Sequence, residues 1–274
     1  MRIAVIGGGG FVGKNVMAGF DDCEAVETAE WVAYGLPKGV EAVIHLAANA
    51  DVRAGWNHPL KDQEFGPQLT QQILEEMRAK GVRRIIFAST GSVYHPHDHN
   101  HFPDCPVHAT SLYAASKIAA EQLIAAYAAA GHVDATVLRF VSVLGPHYSH
   151  GLVKDFVEKL QTDPSQLPII APGTSNKSYV HVADVVEAMR TVIDQAHPFT
   201  IYNVGTRETA QPRAIAKWVI DEMGLDCPVV LEGETWVGDN PTIRLDTGGL
   251  RALGWRPKFT IEQAIRDTVR WLTR

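Results

Sequence analysis

An α/β fold built on a parallel sheet, with a smaller C-terminal lobe to receive substrate, is predicted by three features of the sequence. The chain opens on a short β-branched run that leads through glycines into a helical pattern. Strand-like and helix-like stretches then alternate over the first two thirds, and after Gly145-Pro146 the alternation breaks down.

Arg2–Ile6 is the first strand, followed by a glycine-rich loop and a helix from Phe11. Strand Ala42–Leu46, a helix near Gln68–Lys80, strand Arg84–Ala88, a helix near Leu112–Ala130 and strand Ala135–Phe140 come next. The strands are continuous apolar runs, as expected of parallel strands covered on both faces, and each helical stretch is long enough to cross from one to the next. These repeated βα units describe a Rossmann-like, doubly wound sheet. Beyond Gly145, Pro164, Pro168, Pro172 and Gly173 punctuate short segments that end in a helix near Ile261–Leu272. The expected division is a dinucleotide-binding domain over residues 1–145, rejoined by segments near 181–205, and a mainly substrate-binding lobe over 146–274. With no repeat or flexible linker, the two are expected to share an interface.

With 274 residues, 46% of them hydrophobic and 20% charged, the chain can bury a full core. Its net charge of -6 comes without a basic stripe, so nothing steers it toward nucleic acid or anionic lipid. Small-molecule chemistry is what remains. Cys23, Cys105 and Cys227 have no metal-ligand spacing and fit a reducing cytoplasm. Ile3–Ile6 is too short for a signal sequence, and no stretch reaches the roughly 18 apolar residues of a membrane span. A cytoplasmic protein without a membrane partner is expected.

Gly7, Gly10 and Gly13 have the Gly-x-x-Gly-x-x-Gly spacing between a strand and a helix. Gly7 permits a sharp turn, Gly10 lets backbone approach a pyrophosphate, and Gly13 lets the helix pack on the sheet. The helix N-terminus adds free N–H groups and a positive dipole end. An acidic partner for the ribose belongs about 20 residues on, at the end of a second strand. The candidates are Asp21, Asp22, Glu24 and Glu27, in a segment with no clear strand. NAD is favoured over NADP because no Arg stands there for a 2′-phosphate; NADP stays open.

Tyr113 and Lys117 lie four apart on a helix that Ser111 can cap, and so share one face. An ammonium beside the phenol, together with the positive nicotinamide of an oxidised cofactor, favours the phenolate and makes Tyr113 a base. Strand Arg84–Ala88 runs on into Ser89-Thr90, which delivers hydroxyls to the carboxyl edge of the sheet, where α/β proteins bind ligands. Thr90, Tyr113 and Lys117 form the predicted catalytic triad.

With these stretches the chain resembles the NAD-dependent epimerase/dehydratase family of extended short-chain dehydrogenases. Further matches are His45-Leu46-Ala47-Ala48, Phe87 to Tyr94, Leu138-Arg139-Phe140, Tyr179 to Val185, Tyr202-Asn203-Val204-Gly205 and Leu253-Gly254-Trp255-Arg256-Pro257. The resemblance implies that Phe11 and Val12 meet the pyrophosphate, and that Leu46, Ala47, Ala48 and Ser89 line the cofactor groove. Phe140 and Val141 would sit near the nicotinamide, with Tyr113 and Lys117 also touching the cofactor. Ser142 stands where the family has a substrate-touching Asn; Lys177 replaces the Arg that grips a nucleotide-sugar diphosphate, and Arg244 is a second candidate for that grip. Gly66 or Pro67 stands in place of another Asn, and the short distance from Gly13 to His45 implies trimming of the second and third strands. The alanine-rich run Ala125–Ala130 is read as plain helix, of a kind that often packs across a dimer interface in the family, and a homodimer is expected.

Dehydratases of the family carry Asp-Glu after the Thr, where this chain has Gly91-Ser92. The resemblance therefore points to a nucleotide-sugar epimerase of the UDP-glucose/UDP-galactose 4-epimerase type. A nucleotide-sugar ketoreductase or dehydrogenase, and a dinucleotide sensor without turnover, are the alternatives. His95, His97, His99 and His101 alternate like a metal tract, but a polar surface loop without a catalytic metal is expected there.

Overall fold

The computed structural model describes residues 1–27, 31, 34–49, 53–95, 100–170, 175–195, 197–232 and 242–274. The chain enters through β1 (Ile3–Ile6) and α1 (Phe11–Gly19), reaches β2 (Cys23–Val26) and returns to β3 (Ala42–His45). A short α2 (Pro59–Gln63) continues through a π-helical turn at Glu64–Gln68 into α3 (Leu69–Lys80). Next come β4 (Arg84–Thr90), α4 (Leu112–Ala129) and β5 (Asp134–Phe140). The remaining elements are β6 (Ser142–Leu144), α5 (Leu152–Thr162), β7 (Leu167–Ile169), β8 (Asn176–Lys177), β9 (Tyr179–His181), α6 (Val182–Ile193), β10 (Phe199–Val204), α7 (Pro212–Glu222), β11 (Val229–Leu231), β12 (Thr242–Ile243), α8 (Gly248–Ala252) and α9 (Ile261–Leu272).

Six strands form one sheet in the order β10-β5-β4-β3-β1-β2, and every pair in it is parallel. The chain therefore runs outward from β1 to β2, then reverses and builds the rest of the sheet on the other side of β1. That reversal leaves a crevice at the carboxyl ends of β1 and β3, the position where open α/β sheets hold ligands. The short edge strand β2 is absent from the sequence reading. Cys23–Val26 is half solvent-facing and lacks the continuous apolar run of its neighbours, so periodicity does not announce it.

Burial follows the two-residue period of the strands. Ile3, Val5, Ala42, Ile44, Ile86 and Leu138 face one core, beside Val16 of α1 and Val185, Met189 and Val192 of α6. Ala4, Ile6, Val43, Ile85 and Val137 face the other, beside Ile73, Leu74 and Met77 of α3 and Ile124 and Ala128 of α4. Covering on both faces is the physical reason that the strands read as unbroken apolar runs. A third core joins α5, α7 and α9 through Phe156, Leu160, Ile215, Val219, Ile265 and Val269. Thr260 and Gln263 form a reciprocal cap at the start of α9. Among the described residues, no helix is long and apolar enough to cross a membrane.

One buried polar network ties these layers together. Glu121 of α4 accepts from Arg139 Nη2 at 2.6 Å and Nε at 3.0 Å, and from the Ser89 hydroxyl at 2.5 Å. Arg139 Nη1 donates to the Tyr94 hydroxyl at 2.8 Å, which in turn donates to Asn203 Oδ1 at 2.8 Å. Removing one member of a buried ion pair strands the other charge. Arg139→Met should lower stability by about 3–5 kcal/mol in urea denaturation; a loss under about 1 kcal/mol would mean that Glu121 is solvated after all.

Candidate active site

The glycine loop closes the carboxyl end of β1. Gly7 has φ +85°, and a Cβ there would lie 2.9 Å from the Ala47 amide nitrogen. At Gly13 a Cβ would lie 2.2 Å from the Gly7 carbonyl oxygen, so only glycine lets α1 sit this close to the loop. Gly10 is the N-cap of α1 with no side-chain cap, which leaves the first amides of the helix, from Phe11 and Val12 onward, open to an anion. Leu46 and Ala47 both donate backbone N–H to Ile6 O, so the segment after β3 folds along the same rim, with half-buried Ala48 beside it. The loop is a concave backbone surface that side chains would fill, which suits a dinucleotide pyrophosphate.

The four acidic candidates stand in different places. Glu27 follows directly on β2, and its carboxylate accepts from Gly9 N at 2.5 Å. It thus stands at the end of the second strand, beside the glycine loop, where a ribose partner belongs. Asp21 and Asp22 precede β2, and Glu24 within it pairs with Arg2 at 2.6 Å on the exposed surface.

Thr90, Tyr113 and Lys117 are brought together. Thr90 ends β4 and accepts from Ser92 N at 3.1 Å, while Ser111 caps α4 by accepting from Ala114 N at 3.1 Å. The half-buried Tyr113 side chain lies close enough to Thr90 for the Thr90 hydroxyl to favour its phenolate. Lys117 is buried, donates to Ala88 O at 2.7 Å, and holds its Nζ 4.6 Å from the Phe87 ring centre and 5.9 Å from that of Tyr113. Burial, and second to it the Asp62 carboxylate, push the phenol up to about 12, against the opposing effect of the Thr90 hydroxyl. Burial pushes Lys117 down to about 8, opposed by Glu121. The ammonium alone thus does not bring the phenol toward neutrality.

One residue in this surround, Asp62, escapes the sequence reading, and so does the packing role of Gly66. Asp62 is buried on α2, and its Oδ1 accepts from Asn49 Nδ2 at 3.2 Å. A helix as short as Pro59–Gln63 has too little periodicity to reveal a buried carboxylate. Gly66 lies in the π-helical turn with its backbone pressed on α4: a Cβ there would be 2.9 Å from Ser116 Cβ. Its carbonyl accepts from Thr70 Oγ1 at 2.8 Å, and Thr70 in turn meets buried His45 Nε2 at 3.0 Å.

The remaining predicted residues fall on the rim or beyond it. The Ser89 hydroxyl donates to Glu121. Phe140 and Val141 are buried at the end of β5, followed by exposed Ser142. β8 pairs with β12 in a register that sets Lys177 opposite Ile243, and exposed Arg244 comes next along the chain. His101 N donates to Arg244 O at 2.9 Å, which ties the histidine segment to the chain just after β12. Of that segment, His97 and His99 lie outside the described residues. The His95 ring sits 4.9 Å from that of His108, and His101 stacks on Tyr94 at 4.8 Å.

Residues 18–205 match the NAD dependent epimerase/dehydratase family. The chain belongs to that family. NAD is the cofactor that this membership carries, and the glycine loop fits it. Over 236 residues the chain is 30% identical to a UDP-glucose 4-epimerase of Mycolicibacterium smegmatis, covering 84% of this chain and 75% of the relative. Over 241 residues it is 28% identical to the dTDP-D-glucose 4,6-dehydratase of Mus musculus, covering 85% of this chain and 67% of the relative. The solved structure of the Thermus thermophilus UDP-glucose 4-epimerase in complex with NAD superposes with a TM-score of 0.86 at 29% identity, covering 100% of this chain and 99% of that one.

The depressed Lys117 gives a pH test. Between about 8 and its ordinary value of 10.5, the unfolded chain still holds a proton that the folded chain has released. Stability of the cofactor-free protein therefore gains from this residue as pH rises through that window, and the gain is absent below it. The melting-temperature difference between wild type and Lys117→Met should shift in favour of wild type across the window. A flat difference would show that the ammonium is not desolvated.

Proposed function

We propose that the protein is a nucleotide-sugar 4-epimerase of the UDP-glucose/UDP-galactose type. The observation that carries the reading is a Thr90–Tyr113–Lys117 group with no acid pair after the Thr. Gly91 is buried against Ile243 and Leu245, which a Cβ would meet at 3.1 and 3.2 Å, so the fold leaves little room for a carboxylate there. Without an acid to drive elimination, the chemistry within reach is reversible oxidation of an alcohol.

NAD supplies the hydride acceptor and, once reduced, the donor. Tyr113 removes the proton from the C4 hydroxyl, the keto sugar turns over to offer its other face, and Tyr113 then returns the proton to the C4 oxygen. Thr90 hydrogen-bonds that oxygen and holds it within transfer distance of the phenol. Lys117 provides the positive charge that favours the phenolate and bonds the nicotinamide ribose, while Glu27 holds the adenosine ribose. Lys177 takes the diphosphate, with Arg244, just after β12, as the second candidate. Lys177 acts there as a point charge rather than a bidentate fork. Ser142 contacts the sugar.

Incubation with UDP-galactose and NAD, with no added hydride donor, should yield UDP-glucose. Tyr113→Phe should lower kcat by about 10²- to 10⁴-fold while NAD titrates as in wild type. Stoichiometric NADH accumulation would replace the epimerase reading with a dehydrogenase, and retained turnover in Tyr113→Phe would remove Tyr113 from the mechanism. Glu27→Ala should narrow the preference for NAD over NADP by about tenfold or more, the equivalent of one charge-assisted hydrogen bond. An unchanged ratio of dissociation constants would place the ribose elsewhere.

A further inference from the structure

The loop between β6 and α5 reaches over to the glycine loop, and we propose that it is a clasp, centred on Tyr148, that sets how long the dinucleotide stays bound. Four contacts converge on it. The Tyr148 ring meets the Phe11 ring edge to face, with centroids 5.5 Å apart and planes at 89°. Asn15 Nδ2 donates to Phe11 O and to Pro146 O, each at 2.9 Å, so one side chain of α1 joins the helix start to the loop. On the far side the His147 ring lies 4.3 Å from that of Trp271 in α9. Tyr148 N donates to Gly145 O at 3.2 Å, closing a turn within the loop.

The loop's backbone is shaped for this position. His147 has φ +69°, a region that residues with a Cβ rarely occupy, and it is held there between Pro146 and the Trp271 contact. Gly151 has φ +107°, and a Cβ on it would lie 2.4 Å from the Tyr148 hydroxyl oxygen. Glycine at 151 is therefore what allows the Tyr148 ring to lie down toward Phe11. Phe11 is the first residue of α1, at the uncapped helix end that faces the pyrophosphate position. Fixing Phe11 from a loop anchored on the C-terminal helices pre-organises that end, which favours the bound state by lowering its ordering cost.

Retention also matters for the chemistry. In epimerisation the hydride removed from the sugar has to come back from the same cofactor molecule, so reduced cofactor that leaves early strands a keto sugar. A dehydrogenase, by contrast, exchanges its cofactor at every turnover. The clasp rests on the dinucleotide site of the proposed function and not on the identity of the sugar.

The test is release of NADH from the full-length protein into excess NAD, followed by NADH fluorescence. Tyr148→Ala and Asn15→Ala should each raise the release rate by about two- to tenfold, the worth of one aromatic pair or one hydrogen bond. Tyr148→Phe keeps the ring and should stay within about twofold of wild type. Wild-type release from a folded Tyr148→Ala protein would overturn the clasp. If that variant does not fold, Asn15→Ala decides in the same way. Release rates that change as expected in a protein that does not interconvert UDP-sugars would uphold the clasp and sink the sugar assignment.

Discussion

The ion pair between Glu121 and Arg139, closed off from water, is the interaction on which the arrangement of the site depends. Glu121 lies on α4, on the same face as Lys117 and Tyr113, and Arg139 lies on β5. Through Ser89 the pair reaches β4, and through Tyr94 and Asn203 it reaches β10. Asn203 Nδ2 donates to His101 O at 2.8 Å, which carries the network to Arg244, just after β12. A buried ion pair contributes little net stability compared with apolar packing; its value lies in the geometry that it enforces. Here that geometry is the rotation of α4, and with it the approach of Tyr113 to Thr90.

The electrostatics around Tyr113 are set for a partner that brings its own charge. Burial and Asp62 hold the phenol in its protonated form, and burial weakens the hold of Lys117 on its proton. Such an arrangement keeps the phenol protonated in the cofactor-free protein; under the proposed function, the positive charge of an oxidised nicotinamide would favour the phenolate. Glu27 is fixed separately, its carboxylate accepting from Gly9 N within the glycine loop.

Most of the fold is legible in the sequence, because the elements that build the central sheet each carry a strong local signal. Strands covered on both faces must be apolar throughout, and Ile3–Ile6, Ala42–His45 and Arg84–Thr90 show it. The helix over Ile261–Leu272 follows from its periodicity and its cap. The elements that escape are those whose residues answer to neighbours distant in sequence. β2 is an edge strand that pairs on one side only, and α2 with its π-helical turn is shaped by packing against α4 rather than by its own pattern.

By itself the sequence determined the order of βα units, the glycine loop, and the spacing of Tyr113 and Lys117 on one helix face, since each of these is a matter of local pattern. Which acidic residue of four stands at the end of the second strand, that Asp62 faces the phenol, that Gly66 presses on Ser116, and that Tyr148 lies against Phe11 were decided only by the tertiary structure. The physical reason is the same in each case. These are contacts between segments far apart along the chain, and they come into being only when the reversal of strand order at β1 and the buried Glu121–Arg139 pair bring those segments to a common edge.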